Sequence, residues 1–280
     1  LIYGQSEDYA LYIEPAAVST WTGANTDWAT ATNWSSGTVP TATDNVVIPN
    51  VTNQPIISSG TAAVANNITI DANATLTVYS GGSLTMDANL TQNGTFKISS
   101  GFGSNGSLIV KGTATGDVTY KRVVSNSSPP FSPGPDSYWH LVSSPVNGQD
   151  IPGVYQDVEW KDEKRAIAPY VNTNAANAKW AYYTAADAPG NFINGKGYTI
   201  KGNITGMLPF KGTLNTNDAG VVISVDATGD QYNAIGNPYT SYIDGNTFLN
   251  NVDAGRLTQK TIWLWNGAAN GGVGEYITKN

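Results

Sequence analysis

The chain has 280 residues and a formal net charge of -7, from 14 basic against 21 acidic side chains, with only 12% charged residues; it lacks the basic face that phosphate binding needs, which excludes nucleic acid as a partner. It has no cysteine and one histidine, His140, so disulfides, thiolate chemistry and multi-histidine metal sites are excluded together. No uninterrupted apolar run reaches the roughly 18 residues of a membrane span, and the length suits about two domains.

At the start, Leu1-Ile2-Tyr3-Gly4 carries neither a basic leader nor an apolar run, and the chain begins without Met; a processed or excised fragment is expected. Gly and Pro interrupt the chain so often that no segment keeps apolar residues at helical spacing over three turns, while short alternating runs recur. The chain reads as all-β.

The N-terminal half repeats. β-rich triplets fall at Val46–Ile48, Pro55–Ile57, Ala62–Val64, Ile68–Ile70, Leu76–Val78, Leu84–Met86, Phe96–Ile98, Leu108–Val110 and Val118–Tyr120. Taking every third triplet, 46 to 68 is 22 residues, 56 to 76 and 76 to 96 are 20, 62 to 84 is 22, and 96 to 118 is 22. Three strands per turn, with Asn73-Ala74, Gly81-Gly82 and Asn93-Gly94 at the corners, predict a short parallel β-solenoid of about three coils over 46–122. Ile68, Leu76, Leu84 and Phe96 are expected to face inward, and Gly101–Gly106 reads as a corner insertion. An irregular meander sandwich is the alternative. Trp21, Trp28 and Trp34 stand where a solenoid end must be capped to hide its core and edge.

Ser125–Pro135 holds four prolines in eleven residues and cannot continue a central strand. It is the expected linker between a 17–124 solenoid with its Trp-rich cap and a 136–280 β-sandwich. In the second region Tyr138–Pro145 and Gln231–Pro238 share one pattern (aromatic, polar, an apolar pair, a small polar pair, Pro), which suggests paired halves of a sandwich. Further strands are expected at Trp180–Thr184, Gly197–Lys201, Leu208–Leu214 and Val221–Val225. Trp263-Leu264-Trp265 alternates like an inner strand, and Tyr276-Ile277-Thr278 starts another. The sandwich is therefore expected to be incomplete at its C-terminal end and to leave an open edge.

Several of these segments carry a resemblance. Gly4–Ile13 looks like the closing strand of a GEVED-type module, with Gln5-Ser6 where Glu-Val is the rule, so residues 1–16 read as the tail strand of a preceding module. Trp21-Thr22-Gly23-Ala24, Asp27-Trp28, Asn33-Trp34 and Val39–Pro49 are similar to the solenoid entrance of large secreted proteins of Bacteroidetes. Trp139–Val146, Gly195-Lys196-Gly197-Tyr198, Ile235–Tyr239 and Trp263–Asn266 resemble the region that precedes a C-terminal sorting domain in cargo of the type IX secretion system. That resemblance implies the type IX export machinery as a partner, and a protein secreted or attached to the outer cell surface. Its hosts include adhesins, proteases and polysaccharide-degrading enzymes. It supplies no catalytic residue.

Catalytic chemistry has few residues to stand on. His140 lies in an alternating strand without a Gly-x-Ser-x-Gly elbow, so a structural hydrogen-bonding role is expected. A solenoid lyase would need a base beside a neutralised uronate, yet residues 46–120 carry only Asp71, Asp87, Asp117, Lys97 and Lys111, on different faces and coils. Glu159, Asp162 and Glu163 alternate with Lys161, Lys164 and Arg165, as in a solvated, mutually paired loop, where a glycosidase needs two converging carboxylates. Asp226, Asp230 and Asp244 offer oxygen ligands at turn spacing, so calcium is the one cofactor considered; Asp and Asn are equally turn formers. Trp160, Trp180, Tyr182 and Tyr183 lie in one stretch and form either a sugar-stacking platform or part of the core.

Two readings result: a non-catalytic spacer and display region of a secreted surface protein, or a carbohydrate-binding region of a polysaccharide-active protein or adhesin with a surface polysaccharide as partner. Exposed, coplanar Trp180 and Tyr182 would favour the second.

Overall fold

The structure, a computed structural model, describes residues 17–101, 103–124, 138–203, 206–216, 221–223, 225–251, 257, 259–267, 269–272 and 274–279. The expected tail strand over 1–16 and the Ser125–Pro135 linker lie outside the described residues.

The first half is a three-sided parallel solenoid. One face stacks β1 (Val18–Thr20) and β2 (Asn45–Ile48); β3 (Ile56–Ile57) and β4 (Ala62–Ala65) complete the first coil. Strands β5 (Ile68–Ile70), β6 (Thr75–Val78) and β7 (Ser83–Met86) form the second coil, and β8 (Leu90–Gln92), β9 (Thr95–Ser99) and β10 (Ser107–Val110) the third. Strands β11 (Ala114–Thr115) and β12 (Val118–Val124) begin a fourth. Each strand pairs in parallel with its equivalent one coil on, as in Val46 with Ile68 and Ile68 with Leu90, or Leu76 with Phe96 and Phe96 with Val118. These parallel ladders exclude the meander. Two of the steps differ by one from the triplet spacing: Ile56 meets Thr77 and Ala63 meets Leu84, 21 residues apart in both cases.

The side-chain period of two does the rest. In β6, Leu76 and Val78 point inward while Thr75 and Thr77 point out. Ile68, Leu76, Leu84 and Phe96 are all buried, and each such side chain contributes roughly 1.5 to 3 kcal/mol. At one corner the Asn45 Oδ1 accepts from Asn67 Nδ2 (2.8 Å), the Asn67 Oδ1 accepts from the Asn89 N–H (2.9 Å), and the Asn89 Oδ1 accepts from the Thr113 N–H (2.8 Å). This ladder supplies bent backbone with partners that strand pairing cannot reach. The N-terminal end is closed by Trp21, Trp28 and Trp34, all buried, with Trp34 in edge contact with both others at 4.9 and 4.7 Å. Trp34 Nε1 donates to the Trp28 carbonyl (2.9 Å), and Trp21 Nε1 to that of Asn53 (2.7 Å).

The second region grows out of the solenoid. Strands β13 (His140–Val142) and β14 (Val146–Asn147) come first, followed by β15 (Trp160–Lys161), β16 (Lys164–Arg165) and β17 (Ile167–Pro169). Then come β18 (Tyr198–Ile200) and the long β19 (Gly206–Leu214). β19 runs antiparallel along the free edge of β12 over seven pairs, from Val118 with Gly212 to Val124 with Gly206, and β14 pairs with its other side. One solenoid face thereby becomes a six-stranded sheet, β14-β19-β12-β9-β6-β3. Gly212 has to be glycine here, because a Cβ would meet the Asn147 carbonyl.

A three-stranded antiparallel sheet, β13-β18-β17, layers on this extension through Tyr198, Phe192 and Phe210, whose rings meet edge-on at 4.9 and 5.4 Å. A single buried cluster runs from Trp21 to Phe210. A short helix α1 (Gly245–Asn251) and the hairpin β20 (Ile262–Asn266) and β21 (Glu275–Lys279) follow. No helix of the described residues is long and apolar enough to cross a membrane.

The expected strand over 180–184 makes only isolated bridges, Tyr170 with Trp180 and Lys164 with Thr184. The described part of Val221–Val225 has no strand. The two Pro-terminated segments do meet: Ser143 Oγ donates to the Asn237 carbonyl at 2.8 Å. Only the first of them holds a ladder strand, with His140 opposite Ile200, while Ile235 makes a single bridge to Lys196. Gly236 lies close against the Ser143 side chain, and its N–H donates to the Gly195 carbonyl at 3.0 Å.

Candidate functional site

The four aromatics singled out in sequence are dispersed. Trp160 sits on the β15–β16 hairpin, whose two turn residues, Asp162 and Glu163, both have positive φ (51° and 61°), the geometry a two-residue hairpin turn needs. Its ring is covered on one side by the Arg165 guanidinium at 4.2 Å, which also lies 4.9 Å from the Tyr155 ring, a cation–π stack. The charged run is thus a hairpin, and the ion pair it makes is external, Glu159 to Lys201 at 2.8 Å. Trp180 is half-buried against Tyr170 (5.2 Å, 74°), Tyr182 is half-buried against Trp139 (5.4 Å, 57°), and Tyr183 packs on the core. Trp180 and Tyr182 are therefore neither fully exposed nor part of one platform.

The three aspartates do not converge either. Asp226 Oδ1 accepts from the Thr228 N–H (2.9 Å) and hydroxyl (2.6 Å), closing its own turn. Asp244 Oδ1 accepts from the Thr247 N–H (2.6 Å) at the start of α1, and both carboxyls are held below the usual range by these bonds. Asp230 is different: its Oδ2 accepts from the Tyr170 hydroxyl at 2.6 Å and lies 3.2 Å from Lys179 Nζ, while its Oδ1 accepts from the Tyr232 N–H at 3.1 Å. Among the described residues no three acidic or imidazole groups gather as a metal site.

Around Asp230 the structure assembles what the sequence left apart. The Asn172 side chain donates to the carbonyls of Asp226 (2.7 Å) and Thr228 (2.9 Å), which pins the 226–233 loop beside β17's exit. Tyr170 and Trp180 come from that exit. Tyr232 follows Asp230 and meets Trp263 of β20 edge-on (5.6 Å, 80°). On the same face of the hairpin Trp265 meets Tyr276 of β21 (4.9 Å, 65°), and Trp265 Nε1 donates to the Trp139 carbonyl at 2.7 Å, tying the hairpin down. Trp263, Tyr276 and Tyr232 are 39%, 51% and 58% exposed. The Tyr170 hydroxyl is pushed far above the usual phenol range, by burial first, then by its bond to Asp230 and by the charge of Asp230 and of the nearby Tyr276 and Tyr232 hydroxyls. Asp230 is held low, by Tyr170 first and by Lys179.

This arrangement has braced ring faces beside a shared carboxylate. Of its members, the sequence reading named Trp180 as an aromatic contact and Asp230 as a metal ligand, and it took Trp263 for an inner strand. It missed Tyr170, Tyr232 and Tyr276. The one signal for them was the alternation of Trp263 and Trp265, which puts both on one face.

No curated protein and no solved structure matches the chain. A family model described as a domain of unknown function, DUF8693, matches residues 20–273, a span that takes in the Trp cap, the solenoid, the β19 junction and β20 but ends before β21. The chain belongs to the DUF8693 family.

Proposed function

We propose that this chain is a non-catalytic spacer and display region of a large secreted or cell-surface protein, exported by the type IX machinery whose cargo its sequence resembles. The observation that supports it is the six-stranded sheet that carries the solenoid face through β12 into β19 and β14 without a break in hydrogen bonding. Such a junction resists bending between the halves, since tilting one against the other breaks the seven β12–β19 pairs and the shared core beneath them. A spacer acts through length and stiffness, so replacing residues 46–86 by two coils of an unrelated solenoid, with β12 and its pairs to β19 kept, is expected to leave surface display of a flanking reporter unchanged in a type IX-competent cell. Loss of display on that swap overturns the reading.

A second reading, carbohydrate binding, is favoured by the exposed aromatic rings gathered around Asp230. A display region that also holds glycan would fix its host to a polysaccharide surface. Retardation of the chain in gels containing polysaccharide tests it.

A further inference from the structure

We propose that Trp263, Tyr232 and Tyr276, with Asp230 as the polar centre, form a binding site for a neutral polysaccharide; this rests on the carbohydrate-binding reading and places it away from Trp160 and Tyr182. Edge-to-face pairing uses at most one face of each ring, and the exposure of these three leaves the remainder open to solvent. The partner ring in each pair fixes the tilt of the open one, so little side-chain entropy is lost when a ligand stacks on it. Trp265 is the anchor, through its bond to the Trp139 carbonyl, and leaves Trp263 two residues away for contact.

The class of ligand follows from the surrounding polar groups. A pyranose ring presents rows of C–H groups to an aromatic face and hydroxyls at its rim, and the rim needs acceptors and donors together. Asp230 Oδ1 has a backbone donor and room for a further one, and the Tyr232 and Tyr276 hydroxyls both donate and accept. Lys179 already neutralises Asp230 at 3.2 Å, and the chain as a whole carries -7. A sulfated or uronate chain would meet a net acidic protein whose cation at this centre, Lys179, is already paired, whereas a neutral glycan needs no such counter-charge.

The test is affinity electrophoresis of the 280-residue chain in gels holding a neutral glucan, xylan or mannan, with alginate and pectate as the charged comparison. Retardation by at least one neutral polysaccharide is expected, unchanged in 0.5 M NaCl, with affinity reduced at least tenfold in Trp263→Ala and in Tyr232→Ala and changed less than twofold in Trp160→Ala. Tyr232→Ala lies outside the hairpin and guards against a fold defect in the Trp263 variant, and thermal melting checks both. No retardation by any neutral polysaccharide overturns the site and the carbohydrate-binding reading together. Retardation that survives both substitutions, or is lost in Trp160→Ala, overturns this site and leaves that reading standing. Retardation only by alginate or pectate overturns the neutral class.

Discussion

Leu76 offers the sharpest test of the coil register. It is fully buried in β6, in register with Phe96 one coil later, and its neighbour Thr77 faces outward on the same strand. Leu76→Ala removes three carbons, worth about 0.8 kcal/mol each in transfer. The cavity left between fixed rungs adds to this, for a loss of about 3 kcal/mol. Thr77→Ala should stay within about 0.5 kcal/mol. Urea unfolding followed by circular dichroism reads both as a change of midpoint at constant slope, and the Leu76 variant should melt roughly 6 to 12 °C lower. Combining Leu76→Ala with Phe96→Leu should give a coupling of about 0.5 kcal/mol or more, since these residues touch only if strands 20 residues apart are parallel neighbours. Ile167→Val, in the separate sheet of β17, should instead add to Leu76→Ala within about 0.5 kcal/mol. A larger loss at 77 than at 76 would mean that the strand is slipped by one residue; zero coupling between 76 and 96 would refute the stacking itself.

Asn67→Ala takes the middle out of the corner ladder, leaving the Asn89 N–H without its acceptor and Asn45 with the Asn66 side chain in place of two donors. A loss of about 1 to 2 kcal/mol in the same urea assay is expected. The tyrosines predict the response to alkali. Burial pushes Tyr183 up to about 12, with Tyr198, Tyr155 and Asp187 adding to it, and burial likewise raises Tyr198. The folded chain then holds protons that the unfolded chain releases near pH 10, so this stabilisation is complete below pH 10 and is lost as pH rises toward 12. Absorbance at 295 nm should show a late group of phenols that ionise only as the circular dichroism collapses; full ionisation by pH 11 with the fold intact would contradict the burial argument.

The solenoid was legible because every feature that builds it is local. Alternation within four residues decides which side chains enter the core, and Asn or Gly at the corner decides where the chain bends: Asn73 has φ 66°, and Gly116 has φ 81° where a Cβ would meet the Gln92 carbonyl. A repeat of these local signals fixes the parallel register, because stacking equivalent residues buries equivalent faces. The β12–β19 junction had no such signal. Leu208–Leu214 was recognisable as a strand, but its pairing with β12 is a contact between segments about 90 residues apart, and alternation says nothing about which edge a strand will find.

The aromatic site escaped for a related reason. Tyr170, Trp180, Tyr232, Trp263 and Tyr276 come from four stretches of chain, joined by a loop that Asn172 holds in place through two backbone carbonyls. Alternation correctly put Trp263 and Trp265 on one face of β20, yet it reports which residues share a face and not what covers that face. A strand inside a sandwich would have had a second sheet over it. Among the described residues β20 pairs with β21 and is tied to the rest of the chain by the Trp265 bond to Trp139. Trp265 is half-buried under that tether while Trp263 remains open beside Tyr232. A hairpin held at one tryptophan and open at the next is a poor way to build a core, and it is a direct way to hold an aromatic face toward solvent.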